Sequence, residues 1–224
     1  MIESSRALVH LNGMKYGLVN ILGTGKTFKS GTLYSILEEC PNLKYRKKAF
    51  LKFPNSDKLF PSDFNVYSVD DLNDVEPDSI LIIEDANRVY PSRSSKSTEL
   101  QEYLGLISHK DVVIYTTIQN TSNTDLCLLG RDQDTVFIHK KMGYSNITFE
   151  REELRDSCNC ANQIIESSPV GLALNWRFIS YVPRFCERLI LNDPPEWYDD
   201  SIAKALRNYK IPSIEKAKNR GASQ

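Results

Sequence analysis

Three short stretches hold residue types whose spacing could do chemistry. In "NILGTGKTFKSGTL" (Asn20 to Leu33), glycines, lysines and hydroxyls crowd together. Glycines let backbone N–H groups turn inward on phosphate oxygens, a lysine at a helix start reaches the outer phosphates, and a Ser/Thr hydroxyl serves Mg²⁺. The pattern G-x-x-x-x-G-K-[ST] is missed by one residue in each of two overlapping registers. In the first, Asn20 replaces the leading glycine and Gly25-Lys26-Thr27 completes the motif. In the second, Gly23 leads directly off the preceding apolar run, Phe28 replaces the second glycine, and Lys29-Ser30 completes it. A steric argument favours the first: the second glycine sits where backbone crowds phosphate and often needs a positive φ, so Phe28 costs more there than Asn20 at the loop entrance. The expected nucleotide-binding set is therefore Gly23, Thr24, Gly25, Lys26, Thr27 and Phe28, with Thr27 also on the metal.

Mg-nucleotide hydrolysis needs a carboxylate at a strand tip near that loop and a second one to orient the attacking water. "ILIIEDA" supplies both, with Glu84 on the metal side and Asp85 polarising water, an inversion of the usual Asp-Glu order. "IYTTIQN" ends another apolar run in Thr116, Thr117, Gln119 and Asn120, where an amide could sense the γ-phosphate through that water. A ligand-free glycine turn would explain the first string by itself, and acidic strand ends often cap helices. The order of the motifs along one chain makes the nucleotide reading the better one.

The elements that would position these groups alternate. "YGLVNIL" reads as a strand, and "GTLYSILEEC" places Leu33, Ile36 and Leu37 on one helical face. "KKAFLKF" and "VYSVDDLNDV" suggest further strands, and Ile80 to Ile83 form a run apolar at every position, as a central parallel strand requires. "STELQEYLGLISH" has helical spacing at Leu100, Tyr103, Leu104 and Ile107, and "DVVIYTTIQN" and "DTVFIHKKM" are two more strands. Strands alternating with helices imply right-handed crossovers and a mostly parallel sheet in a three-layer α/β domain. Beyond about Glu150 the chain becomes polar and mostly helical. The expected organisation is a core over residues 1–150 and a C-terminal, mostly helical extension with a tail over 151–224.

Composition bounds the rest. The 28 basic and 29 acidic residues of the 224 leave a net charge of −1, which gives no global basic field for gripping nucleic acid. Five cysteines at irregular spacing do not read as a disulfide framework, and no apolar run approaches the ~20 residues that span a bilayer. A cytoplasmic, reduced protein that is not itself transmembrane is expected. "CNC" (Cys158, Cys160) lacks ligand-spaced partners in the sequence, and His109 fits a helix end.

Taken together, "GTGKT", "LIIEDANRVYPSRSS" and "ISHKDVVIYTTIQNTSNTDLCLLGRDQDTVFIHKK" resemble the FtsK/HerA superfamily of P-loop ATPases, with its RecA-like core, and in particular viral genome-packaging ATPases and zonula-occludens-toxin-like ATPase domains. The likeness covers roughly residues 15 to 142. It implies ATP and Mg²⁺ as cofactors, Lys26 and Thr27 on phosphate and metal, Glu84 and Asp85 as the acidic motif, and Gln119 as sensor. It further implies a homo-oligomeric ring, usually a hexamer, that moves double-stranded DNA, associated with a virion if viral and docking on a portal or membrane-vertex protein. An arginine reaches the neighbouring subunit's site in such rings. Arg131 is the candidate, ahead of Arg88 and Arg93, and Lys140 and Lys141 could face a pore. The rival readings are a degenerate nucleotide-binding switch and a small-molecule kinase, and no arginine cluster resembles a kinase lid.

Overall fold

Strands buried at every position form the middle of one sheet. A computed structural model describes residues 5–51, 64–67, 69–91, 97–129, 134–143, 152–169, 176–191 and 194–198. β1 (Gly17–Leu22), β4 (Ser79–Ile83) and β5 (Val113–Ile118) are buried at every position, as helices on both faces of a parallel sheet demand. With β2 (Lys47–Leu51), β3 (Phe64–Tyr67), β6 (Thr135–His139), β7 (Ile179–Val182) and β8 (Glu187–Ile190), the strand order is β3-β2-β4-β5-β1-β6-β7-β8. The first six strands in that order are parallel, and β7 and β8 are antiparallel.

Alternate side chains of the strands enter two core layers. Val19, Ile21, Ile80, Ile82, Val113 and Tyr115 pack with α1 (Arg6–Gly13) and α2 (Lys29–Glu39). Leu18, Leu22, Leu81, Ile83, Ile114 and Ile118 pack with Leu100, Tyr103 and Ile107 of α5 (Ser97–Lys110) and with Leu154 and Cys158 of α6 (Glu152–Glu166). This is the expected three-layer α/β arrangement. Two short helices, α3 (Pro41–Lys44) and α4 (Ala86–Val89), follow α2 and β4.

The segment expected as a mostly helical extension carries α6, and it also contributes β7 and β8 to the same sheet, with Val182, Leu189 and Leu191 in the α1–α2 core layer. β8 also holds the start of the chain: the Ala7 N–H donates to Glu187, and Ser5 caps α1 by accepting from the Leu8 N–H at 3.1 Å.

β5 is inserted between β1 and β4, so the acidic strand lies one strand away from β1. The register pairs Leu22 with Ile118 and Ile83 with Thr116, which brings the residues just past three strand ends to one edge of the sheet. Ligands of open α/β sheets bind at such carboxyl ends.

Candidate functional site at the carboxyl ends of three strands

The loop after β1 is set by a polar residue inside the strand. Asn20 is buried; its Nδ2 donates to the Leu128 carbonyl at 2.7 Å, and its Oδ1 accepts from Thr116 Oγ1 at 2.6 Å. Chain direction is thus held straight to Leu22, and the loop begins at Gly23. The Gly23 and Thr24 N–H groups donate to the carbonyls of Ile118 and Lys141, both at 3.1 Å, anchoring the loop to β5 and to the end of β6. A Cβ at Gly23 would stand 2.6 Å from Lys140 Cβ and 2.7 Å from Thr27 Oγ1.

Lys26 is exposed, with φ 65°. Thr27 is buried and spends its hydroxyl on the Thr24 carbonyl at 2.8 Å. Phe28 stands at the N-cap of α2 with φ 66°, and Lys29 and Ser30 open the helix. Lys29 is only 6% exposed; its Nζ donates to the Thr24 carbonyl at 2.9 Å, across the mouth of the loop. Ser30 donates to Glu84 at 2.9 Å, and Tyr34, one turn on, donates to the other carboxylate oxygen at 2.7 Å. Asp85 follows with φ 47°; its N–H donates to Thr117 Oγ1 at 2.8 Å and its carboxylate accepts from Gln119 Nε2 at 2.9 Å. Arg88 Nε lies 3.9 Å from Asp85.

These positions depart from the expected register. Asn20 lies in the strand interior, Lys26 faces solvent, and the Thr27 hydroxyl is turned into the loop. The groups brought together are Gly23, Lys29, Ser30, Glu84, Asp85 and Gln119, from the second register and the two acidic and amide strand ends. The cost of Phe28 at positive φ, which argued against this register, is carried by the fold.

Burial pushes the Lys29 ammonium down to about 8, against the opposing pull of Asp85 and Glu84. It pushes the Glu84 carboxyl up to about 7, while the hydrogen bonds from Tyr34 and Ser30 hold it down, Asp85 raises it and Lys29 lowers it. Two buried groups of opposite charge are thus both shifted towards neutral pH, as catalytic sites often arrange. The Ser30 hydroxyl and the Glu84 carboxylate form a pair of oxygen donors suited to a hard divalent cation, whose charge would offset the cost of burying the carboxylate.

Other sequence candidates fall elsewhere. Arg131 and Arg93 lie outside the described residues. Lys140 is buried, donating to Thr32 at 3.1 Å, to Ser180 at 3.2 Å and to the Arg177 carbonyl, and Lys141 pairs with Glu166 at 2.9 Å. Lys140 therefore cannot face a pore. Cys158 has a partner that spacing did not suggest: His139 Nδ1 lies 3.5 Å from its sulfur, and burial lowers that imidazole to about 4. Among the described residues, no group of three or more His, Cys, Asp or Glu could hold a metal ion.

The fold, a mostly parallel eight-stranded sheet with helices on both faces, is one shared with solved NTPase structures. Among solved structures, the genome-packaging NTPase B204 from Sulfolobus turreted icosahedral virus 2, in complex with ATP-gammaS, is 12% identical over 81% of this chain and 99% of its own, with a TM-score of 0.56. The same protein with AMPPCP superposes at 0.53, with 11% identity over 81% of this chain and 100% of its own. The N-terminal domain of zonular occludens toxin from Neisseria meningitidis, 21% identical over 63% and 90% of the two chains, reaches 0.41, too low to argue from. No family model and no curated protein matches the sequence. The resemblance read from the motifs holds at the level of fold.

Proposed function

We propose that the chain binds ATP with Mg²⁺ and hydrolyses it, and that hydrolysis drives movement of double-stranded DNA, as in genome packaging. The observation that carries the first part is the convergence of Lys29, Ser30, Glu84, Asp85 and Gln119 at adjoining strand ends, within 2.9 Å hydrogen bonds of one another or of the loop.

In this reading the outer phosphates take the place that the Thr24 carbonyl holds for Lys29, and the Lys29 ammonium moves onto them. Ser30 and Glu84 would hold Mg²⁺, which would supply charge neutralisation to the phosphates. Gln119 and Asp85 hold the attacking water, and Asp85 accepts its proton. Gln119 fixes the orientation of Asp85, while the Thr117 hydroxyl fixes its backbone. Tyr34 holds the far carboxylate oxygen of Glu84, leaving Ser30's side of that group for the metal.

The DNA part is supported by the shared fold with a viral genome-packaging NTPase. A ring of copies with Arg131 completing the neighbour's site, and docking on a portal or membrane-vertex protein, belong to the same proposal. Among the described residues no helix is long and apolar enough to cross a membrane. Steady-state ATP hydrolysis with and without double-stranded DNA tests both parts. Hydrolysis raised by DNA supports the motor; hydrolysis indifferent to DNA leaves an ATPase of another kind, and no hydrolysis overturns the proposal.

A further inference from the structure

The hydroxyl of Tyr34 is aimed by residues from the far end of the chain. Tyr34 and Glu84 are both buried, and the 2.7 Å bond from the phenol to one carboxylate oxygen leaves the other oxygen to Ser30 at 2.9 Å. The helix backbone alone does not fix that bond, because a long side chain on a helix has two favourable χ1 positions that send its tip in different directions. The rings packed on Tyr34 select one of them. Trp197 meets it edge-on with centroids 4.9 Å apart, and Tyr198 lies tilted against it at 5.2 Å.

Trp197 and Tyr198 are held in turn from several sides. The Tyr198 N–H donates to the Pro195 carbonyl at 2.9 Å, closing a turn that presents the two rings together. Trp197 meets Phe64 of β3 edge-on at 5.5 Å, and Tyr198 meets Phe28 at 6.5 Å. The Phe28 ring lies over Gly31, where a Cβ would come within 2.1 Å of its Cζ, and rests edge-on against Phe178 at 5.0 Å. One run of rings thus leads from β3 past Tyr34 to the loop after β1. Trp197 and Tyr198 are partly exposed, whereas the ring they pack on is buried, so they cover Tyr34 on that side. A hydrogen bond is stronger in such a low-dielectric surrounding than in water.

We propose that Trp197 and Tyr198 are positioning residues for the cation-binding carboxylate: packed on Tyr34, they hold its hydroxyl on one oxygen of Glu84 and keep the other oxygen turned to Ser30. The proposal rests on the ATP and Mg²⁺ site proposed above. Rings that only filled space would lower stability when trimmed and leave the metal dependence of nucleotide binding as it was.

Calorimetry of ATP binding to the full chain, with Mg²⁺ and with EDTA, reads that dependence as a ratio of two affinities. Tyr34→Phe should lower the ratio by about 2- to 12-fold, the range for one net hydrogen bond, and leave the affinity in EDTA unchanged. Trp197→Leu should lower the ratio in the same way, Trp197→Phe, which keeps an aromatic edge, should restore it, and Trp197→Leu should add nothing in the Tyr34→Phe background. Equal losses with Mg²⁺ and with EDTA, or a Trp197→Leu effect that persists in full beside Tyr34→Phe, overturn the positioning role while leaving the metal site standing. A wild type that binds ATP no tighter with Mg²⁺ than with EDTA overturns both. Should Trp197→Leu not fold, Tyr198→Leu replaces it, with the same lowered ratio and the same lack of effect beside Tyr34→Phe required.

Discussion

Lys29 carries its charge against burial, and the consequences can be measured at the level of single residues. Lys29→Ala should lower ATP hydrolysis by about 10²–10³-fold, the usual cost of removing one donor to transferring charge, with the fold retained by circular dichroism. Lys26→Ala should stay within about twofold, as for an exposed position away from any special feature. The reverse result would restore the first register. pH dependence follows from the same two groups. In the proposed site Glu84 would have to be ionised to hold Mg²⁺, so activity should rise as pH climbs through about 7. Lys29 must be charged to hold phosphate, so activity falls as pH climbs through about 8. The profile of kcat/KM, which reports the free enzyme, should be a narrow bell between those values. Tyr34→Phe removes a hydrogen bond that holds the Glu84 carboxyl down, so the acidic limb alone should move to higher pH. A broad plateau from pH 6 to 9, outside the span those two groups set, would contradict the assignment. For stability the signs are the opposite of the usual paired case. Raising the folded-state value of Glu84 costs stability progressively as pH rises from the ordinary carboxylate range to about 7, with the full cost kept above it, and lowering that of Lys29 costs stability progressively as pH falls from the ordinary lysine range to about 8, with the full cost kept below it.

At the scale of elements, the strands of the core were legible because each is a short, mostly apolar run, unbroken in Ile80 to Ile83, and the helices because their apolar residues recur on one face. The loop after β1, proposed to hold phosphate, was half legible. Its components were visible, but its register depended on where β1 ends, and that is decided by Asn20 bonding to Leu128 and Thr116, residues far away in sequence. The acidic pair and Gln119 were legible as strand ends, whereas the tie from Tyr34 to Glu84 was not, because it needs α2 to pack over β4. β7 and β8 escaped for a different reason. "ISYVPRFCERLI" is two four-residue strands interrupted by a Pro-Arg-Phe turn, too short for periodicity to register. The junction of loop and helix offers an element-scale test. Gly31→Ala forces the Phe28 ring aside and should cost about 1–3 kcal/mol by denaturant unfolding, as overpacking does. Phe28→Gly, which completes the G-x-x-x-x-G-K-S pattern, removes the obstacle. The Gly31→Ala cost should therefore largely vanish in the Phe28→Gly background, a coupling that independent sites do not show. Simple additivity of the two substitutions would mean the ring does not lie over Gly31.

At the scale of the whole molecule, charge sets the problem. A net charge of −1, with Lys140 buried and Lys141 paired to Glu166, gives a single chain little with which to hold DNA phosphates. Repetition around a ring would multiply weak local contacts, because linked sites bind as if at high effective concentration. A ring would also set a neighbour's arginine beside each nucleotide, where such a group can be worth ~10³–10⁵ in rate. Arg131 is the arginine proposed above for that role. Hydrolysis per chain should accordingly rise with protein concentration until assembly is complete, and salt should suppress the DNA-stimulated share. Arg131→Ala and Lys29→Ala should each be nearly inactive by themselves and recover part of the rate when mixed, since the first chain keeps an intact phosphate site and the second keeps the arginine that completes it across the interface. Sedimentation in the presence of ATP and DNA decides the matter from the other direction. A monomer with full activity per chain, together with no recovery on mixing, would leave each site complete within its own chain and remove the neighbour's arginine from the mechanism.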